Sequence, residues 1–569
     1  MHSDGRASCT AAPGLVPLTI GVIGHRDLLP AEVARITEQI RDVIVSYREH
    51  YPVTPILVLT SLALGADQLA VDACDGLDNV GILAVLPFSV DEYESDFSGS
   101  EELAVFRHLA SRCARVVVAD ELMDRAAPIP GDRSPRTQLA RDSAYQRCAN
   151  FLSDQSHVLI AVWDGRPPAL RGGTADTVHY RLASGEPLTN IGEDILVWPS
   201  ESGILIHVPA GRASHGLDGE PPDPATGGTS IPWVVSDDWQ RTPFAGATPD
   251  RFAERIEYLN ERIRAEESTA GPTRAITESI MATADLDASF NQGRYRRRAA
   301  GVLLAGIATL MLVHGEQSFA QRWVFAPAVV ALTITAVLWI TLSRAGAKDR
   351  FQQSRALAEG ARVQSAWLAA GVGACPSDSF LQGQPDVGWI RRALRAAWLL
   401  DHTDAAAASD PAESAHAWMQ GQVDYFEGSQ GKVGAIGRNR AKSRRYNSLI
   451  VAGLIVAILG VVPDAVRFIS GASITAALIA VGQAAWELGL ATAAAAAAYR
   501  HLLALDETDR QYRAAAATYR KGLLDLARQR TGASAHMRTR AIVEMVGREA
   551  LRETSTWLTL NRDRSVRPI

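Results

Sequence analysis

Three short segments of this chain bring glycine, hydroxyl and charged residues together in patterns suited to holding an anion. The first is Gly24-His25-Arg26, directly after an apolar run. A glycine there gives a tight turn and lets the backbone approach a ligand, and His25 and Arg26 could add charge to that contact. The second is Thr60-Ser61-Leu62-Ala63-Leu64-Gly65-Ala66-Asp67. Ser61 and Gly65 follow an apolar run, while Asp67, near the start of a helical pattern, either shapes a site or only complements the helix dipole. The third is Asp164-Gly165, then Arg171-Gly172-Gly173-Thr174, ahead of the helical pattern Ala175–Leu182. Glycines opening a helix leave backbone N–H groups pointing at an anion, which makes this the best phosphate cradle in the chain. No GxxxxGK[ST] occurs, so an ATPase of the Walker type is not expected.

The elements that must position these turns are short apolar runs alternating with helical stretches. The runs are Leu18–Gly24, Pro55–Ser61, Gly81–Pro87, Arg115–Ala119, His157–Trp163 and Gly203–Pro209, with helical patterns such as Ala31–Tyr47 and Ala63–Cys74 between them. Continuous Val/Ile/Leu runs read as buried strands of a parallel sheet. Strands alternating with helices imply a doubly wound α/β fold with ligand-binding turns on the carboxyl edge. Residues 211–235 are rich in Gly, Pro and Asp and read as a loop; Ala245–Ala265 reads as a helix, and Ser268–Thr273 as a hinge.

The whole chain, 569 residues with a formal net charge of -6, is too long for one ordinary domain and too acidic for a dedicated nucleic-acid binder. Its five cysteines are scattered, without CxxC, and its 13 histidines show no HExxH. No disulfide scaffold and no metal site are expected. Trp163, Trp233 and Trp239 could stack on a base, but core packing is the commoner use of such aromatics. The first fifteen residues lack a signal-peptide apolar region, so a membrane would be reached by internal segments.

Such segments follow the hinge. Arg294 and Arg296–Arg298 precede the apolar run Ala299–Val313; a polar loop, His314–Arg322, leads to Trp323–Leu342. The arrangement recurs: Arg438, Arg440, Lys442, Arg444 and Arg445 precede Leu449–Val462, a short loop carries Asp464 and Arg467, and Ala472–Ala485 runs into alanines ending at Tyr499. A spanning helix needs roughly 20 apolar residues, which Trp323–Leu342 meets alone. The first and third runs are shorter, but each sits in a hairpin whose basic flanks mark one side. Four spans are expected, with both termini cytoplasmic. Small residues recur every four positions at Gly301, Ala305 and Thr309 and at Ala476, Ala480 and Ala484, a spacing that lets helices approach closely or simply reflects abundant alanine. Glu487, late in the fourth span, either lines a pore or sits at headgroup level. The segments are 16–265 (sheet domain), 266–298 (linker), 299–343 and 447–499 (hairpins), 344–446 and 500–569 (cytoplasmic helices).

Taken together, Ile20–Leu28, Thr60–Ala70, Ala84–Phe97, and Ala161–Gly165 with Gly172–Val178 resemble the SLOG superfamily, Rossmann-like domains related to SMF/DprA and LOG proteins. The resemblance covers roughly the first 210 residues. It implies nucleotide binding at Gly24, at Ser61 and Gly65, and at Gly172–Thr174. The basic-flanked hairpins, with helices Asp506–Arg528 and Ile542–Arg562, look like SLATT modules, which implies a pore-forming effector of bacterial immunity. One departure matters. LOG enzymes carry PGGxGTxxE, and setting Thr174 on the family threonine places Thr177 at the glutamate position, with Asp176 one residue off. Cleaving a glycosidic bond needs a carboxyl group in reach. The resemblance therefore implies binding rather than hydrolysis, with no catalytic residue, no cofactor, and a nucleotide-derived messenger as ligand. The expected partners are that messenger, the bilayer and further copies of the chain, since four helices are too few to enclose a generous pore. The alternatives are a membrane-tethered nucleotide hydrolase, with Asp67, Asp164 or Asp176 as its carboxylate, and a non-conducting anchored sensor.

Overall fold

Each of the six apolar runs of the first 210 residues forms a strand. A computed structural model describes residues 14–122, 137–167, 172–182, 203–215, 231–236, 240–247, 250–270, 275–319, 325–344, 346–382, 384–404, 410–471, 473–528 and 535–563. Arg171, Trp239, residues 271–273 of the expected hinge, Arg322 and Trp323 lie outside these. The chain divides into two compact units: Met1–Thr283 with Leu357–Ala408, and Ala284–Ala356 with Ser409–Ile569.

In the first unit the elements run β1 (Leu18–Gly24), α1 (Val33–His50), β2 (Ile56–Thr60), α2 (Ala66–Ala73), β3 (Val80–Leu86), α3 (Val90–Tyr93), α4 (Ser100–Arg112), β4 (Arg115–Val118) and α5 (Ala119–Leu122). They continue with α6 (Gln138–Gln155), β5 (Val158–Trp163), α7 (Thr174–Leu182), β6 (Ile204–Pro209), β7 (Trp233–Val235), β8 (Arg241–Pro243) and α8 (Arg251–Ala270). The sheet order is β4-β3-β2-β1-β5-β6-β7-β8. The first six of these strands are parallel, and β7 and β8 add an antiparallel edge that the sequence did not announce. The order reverses between β1 and β5, the place where crossovers leave in opposite directions and open a crevice at the carboxyl edge.

Alternate strand residues face opposite sides, and both sides are covered. Ile23, Leu59, Val85, Leu159 and Ala161 share one buried cluster with Phe151 and Leu152 of α6 and Val178 of α7. Ile20, Val22, Val58 and Ile160 are buried on the other side, where α1 and α2 pack. The inserted segment belongs to this unit through α12 (Gly388–Asp404, after α9, α10 and α11 defined below), whose Trp398 and Leu399 complete the first cluster. Arg395 fixes it, donating to the carbonyl of Asp154 at 3.1 Å and to Ser377 Oγ at 3.0 Å. Thus much of the stretch read as 344–446 packs on the sheet.

The remaining helices are α9 (Ile276–Phe319), α10 (Phe325–Arg344), α11 (Ala347–Ala369), α13 (Pro411–Glu427), α14 (Ala435–Ser470), α15 (Ala476–Leu502), α16 (Leu505–Ala527) and α17 (Ala535–Asp563), with a small hairpin of β9 (Gly428–Ser429) and β10 (Lys432–Val433). The carboxylate of Asp401 caps the start of α9, accepting from the N–H groups of Ile276 at 3.0 Å and Thr277 at 2.8 Å. Among the described residues three stretches are long and apolar enough to cross a membrane: Ala326–Ala369, Ala435–Ser470 and Ala476–Ala527. The first apolar run, Ala299–Val313, lies inside the 44-residue α9. Two expected loops differ. Helix α9 continues through His314–Phe319, where Glu and Gln sustain a helix and no proline breaks it. Helix α14 runs through Pro463, Asp464 and Arg467 and ends at Gly471, whose φ of 65° supplies the left-handed cap, its N–H bonding Arg467 O at 3.1 Å.

Helices α14 and α15 meet backbone to backbone. A side chain at Gly453 would strike Gly489 O, one at Gly460 the backbone of Gly482 and Trp486, and one at Gly489 the backbone of Ala457. The small residues of this seam recur every seven positions, the spacing of an interhelical seam. Ala476, expected in such a row, is exposed, and Ala480 and Ala484 are only half-buried, because the seam uses Gly482, Gly489, Ala493 and Ala496 instead. In the first hairpin the expected row does face its neighbour: Thr309 Oγ1 lies 3.3 Å from Thr335 Oγ1. Glu487 is half-buried beside the seam.

Candidate functional site

The crevice is built from the turns after β1, β2 and β5. After β1 the backbone stays bonded to its neighbours: the N–H of His25 donates to Val162 O at 3.1 Å, and that of Ala66 to His25 O at 3.2 Å. Gly65 holds φ of 82°, and a side chain there would strike the carbonyl oxygens of His25 and Arg26. A methyl at Gly24 would overlap Ala66 and Val162. The first two turns are therefore locked together by glycines that no larger residue could replace. Gly65→Ala adds a left-handed alanine and a clash against fixed backbone. We expect a loss of about 2–3 kcal/mol, measured as a lowered unfolding midpoint of the full-length protein in detergent; an unchanged midpoint would show that the turns can separate freely.

Asp67 is placed by the second turn. It is 4% exposed, Ser61 Oγ donates to its Oδ2, and Thr60 Oγ1 donates to its carbonyl at 2.7 Å. Burial pushes its carboxyl up to about 6, against the opposing effects of the Ser61 hydroxyl, the Arg26 charge and the backbone of Ser61 and Gly24. Beneath the crevice it is therefore a carboxyl group that releases its proton less readily than an ordinary aspartate. Arg26 is exposed, its guanidinium 5.2 Å from the centre of the Tyr145 ring.

The third turn meets the first through His25 and Asp164. His25 Nε2 lies 3.1 Å from Asp164 Oδ1 and accepts the N–H of Asp164 at 3.1 Å. One nitrogen cannot accept and donate at once. Burial holds the imidazole below its ordinary value, despite the nearby Asp164 carboxylate. The neutral ring then takes the backbone N–H, while Asp164 Oδ1 accepts from Arg166 N at 3.2 Å. Gly165, with φ of 80°, makes the turn into open space.

Gly172, Gly173 and Thr174 are half-buried at the start of α7. Asp176 reaches back from the helix and takes the Gly172 N–H at 2.9 Å and Gln146 Nε2 at 3.2 Å. Its other oxygen is buried without a hydrogen-bond partner. Thr177 is turned inward, its hydroxyl on Gly173 O at 3.1 Å. A carboxylate thus already occupies part of this helix start, and an anion there has the N–H groups of Gly173 and Thr174 to meet.

Helix α6, not singled out in the sequence, ties these turns together. Arg141 pairs with Glu92 at 3.3 Å and with Asp96, and its guanidinium lies 4.4 Å from the centre of the Phe88 ring. Tyr145 packs edge-on against Phe88 and beneath Arg26. Gln146 holds Asp176, and Arg147 pairs with Asp120 at 2.7 Å. Burial also pushes Asp96 upward, against the charges of Arg141 and Arg26. The crevice therefore offers two arginines, a ring and two carboxyl groups whose proton affinity is raised. Of the tryptophans considered above, Trp163 is core, its Nε1 donating to Arg166 O at 3.1 Å, and Trp233 is half-buried on β7. Among the described residues no three His, Cys, Asp or Glu side chains gather as a metal site would require.

No protein-family model matches the chain, and no curated protein matches its sequence.

Proposed function

We propose that this chain is a membrane effector of bacterial immunity in which a nucleotide-derived second messenger binds the crevice and gates a pore or a membrane-disrupting state. The observation that carries the reading is the convergence of the three turns at the β1/β5 reversal, within a chain that also holds apolar helices of spanning length. Arg26 and the free N–H groups of the α7 start suit phosphates, and the Tyr145 ring suits a base. A Rossmann-like domain of SLOG type joined to SLATT-like hairpins fits this layout. On this reading α9 to Phe319 and α10 form the first hairpin, α14 and α15 the second, giving four spans with both termini cytoplasmic in the inner membrane, and copies associate to enclose the path. Gating requires that the messenger bind the open assembly more tightly than the closed one.

Dye leakage from liposomes carrying the purified protein tests this, with cyclic oligonucleotides and ADP-ribose derivatives added singly. One compound should release dye, and Gly173→Glu, which adds a second carboxylate at the α7 start, should raise the concentration needed by more than about tenfold. The raised Asp67 carboxyl favours one other reading, a nucleotide hydrolase with Asp67 as general acid. Consumption of a nucleotide without leakage, lost in Asp67→Asn, would establish that reading in place of the first.

A further inference from the structure

A polar cavity of about 380 Å³ lies at the foot of α14 and α15, outside the crevice and within the second unit. Asn439, Arg440 and Ser443 of α14 line one side, and Arg510 and Arg513 of α16 the other. Asn439 Nδ2 fixes the two helices together by donating to Leu505 O at 2.7 Å.

The charges around it do not balance. Asp509 is shared by two guanidiniums, Arg440 at 3.2 Å and Arg513. Asp506 is held by Arg500, whose two contacts are 2.6 Å and 2.7 Å, and Arg500 Nε is buried with no hydrogen-bond partner. Among the described residues Arg510 pairs with no carboxylate. Three guanidiniums, Arg440, Arg510 and Arg513, thus face Asp506 and Asp509 across a hole of ligand size, with Asp506 already held by Arg500 from outside the lining, an excess that a phosphate ester would neutralise through planar N–H pairs.

We propose that this cavity is a phosphate-anion site, filled by the headgroup of an anionic lipid. The lipid source rests on α14 and α15 crossing the bilayer, and depth argues for it. Ser443 precedes the first apolar residue of the run, Leu449, by six positions, roughly 9 Å along the axis. Headgroups extend about 5–8 Å beyond the hydrocarbon core on each side, so the near edge of the cavity stands just outside the headgroup layer, a height at which basic pockets take up anionic lipid headgroups.

The test uses full-length protein in a neutral detergent, with its unfolding temperature read against short-chain phosphatidylglycerol, short-chain phosphatidylcholine or inorganic phosphate. Phosphatidylglycerol should raise the temperature where phosphatidylcholine does not. In Arg510→Gln the concentration needed should rise by about tenfold, and Arg510→Lys should recover most of that loss. Arg444→Gln removes the same charge from the helix outside the cavity and should leave the response nearly unchanged. Stabilisation by inorganic phosphate alone, with the same dependence on Arg510, would keep the site and assign it a soluble phosphate; that arm does not depend on membrane insertion. No stabilisation by either probe, or an equal loss in Arg444→Gln and Arg510→Gln, overturns the proposal.

Discussion

Replacing Gly489 by leucine should break the second hairpin apart. The atoms that a side chain at this position meets belong to the backbone of Ala457 and Gly453, which cannot swing aside. Either the helices separate along their seam or α15 rotates and exposes Ala493 and Ala496. We expect a cost of about 3 kcal/mol or more, at the upper end for overpacking, and a fall in melting temperature of roughly 6–12 °C in detergent. Gly306→Leu supplies the comparison. It adds the same side chain to an apolar stretch of α9 where nothing lies within 4 Å, so its effect should be near zero. Equal effects of the two substitutions would mean that the seam is not a contact the protein depends on.

The second large effect concerns pH. A carboxyl group whose folded value is raised from 3.8 to about 6 binds its proton more tightly in the folded state. Between those values the folded chain holds a proton that the unfolded chain has released, so stability falls as pH rises through this window. The penalty is complete above the folded value and disappears below the unfolded one. A shift of two units corresponds to about 3 kcal/mol. The wild-type protein should therefore gain stability on moving from pH 8 to pH 5, to the extent that other groups do not oppose it. Asp67→Asn should be more stable than wild type at pH 8, by up to about 3 kcal/mol, with the difference shrinking at pH 5. A difference that stays constant with pH would mean Asp67 is ionised throughout, and the buried carboxyl would no longer be a candidate acid.

The parallel strands were legible because burial on both faces demands continuous apolar runs; β1 matches its run residue for residue. The three turns were legible because their glycines are required by local geometry, as at Gly65. What organises them was not. Helix α6 buries Gln146, Ser153 and Gln155 among Ala144, Cys148, Phe151 and Leu152, so the apolar stripe on its inward face is diluted by polar residues and hard to read. Its Arg141 and Tyr145 act through residues far away in the chain, a relation that only folding creates. Strands β7 and β8 are three residues each, too short for a pattern. The seam of the second hairpin did leave a signal, in glycines seven apart on each helix, but abundant alanine offered a competing row every four.

That seam also limits how the protein could let anything through a bilayer. Where two backbones touch, no file of water molecules fits between them, so α14 and α15 act as one solid stave rather than as two walls of a channel. Any conduit must run along the outside of the stave, and its lining would come from side chains such as Gln483, which is exposed. Its width would then be decided by how many staves stand around it, a number that each copy of the chain increases by a fixed increment.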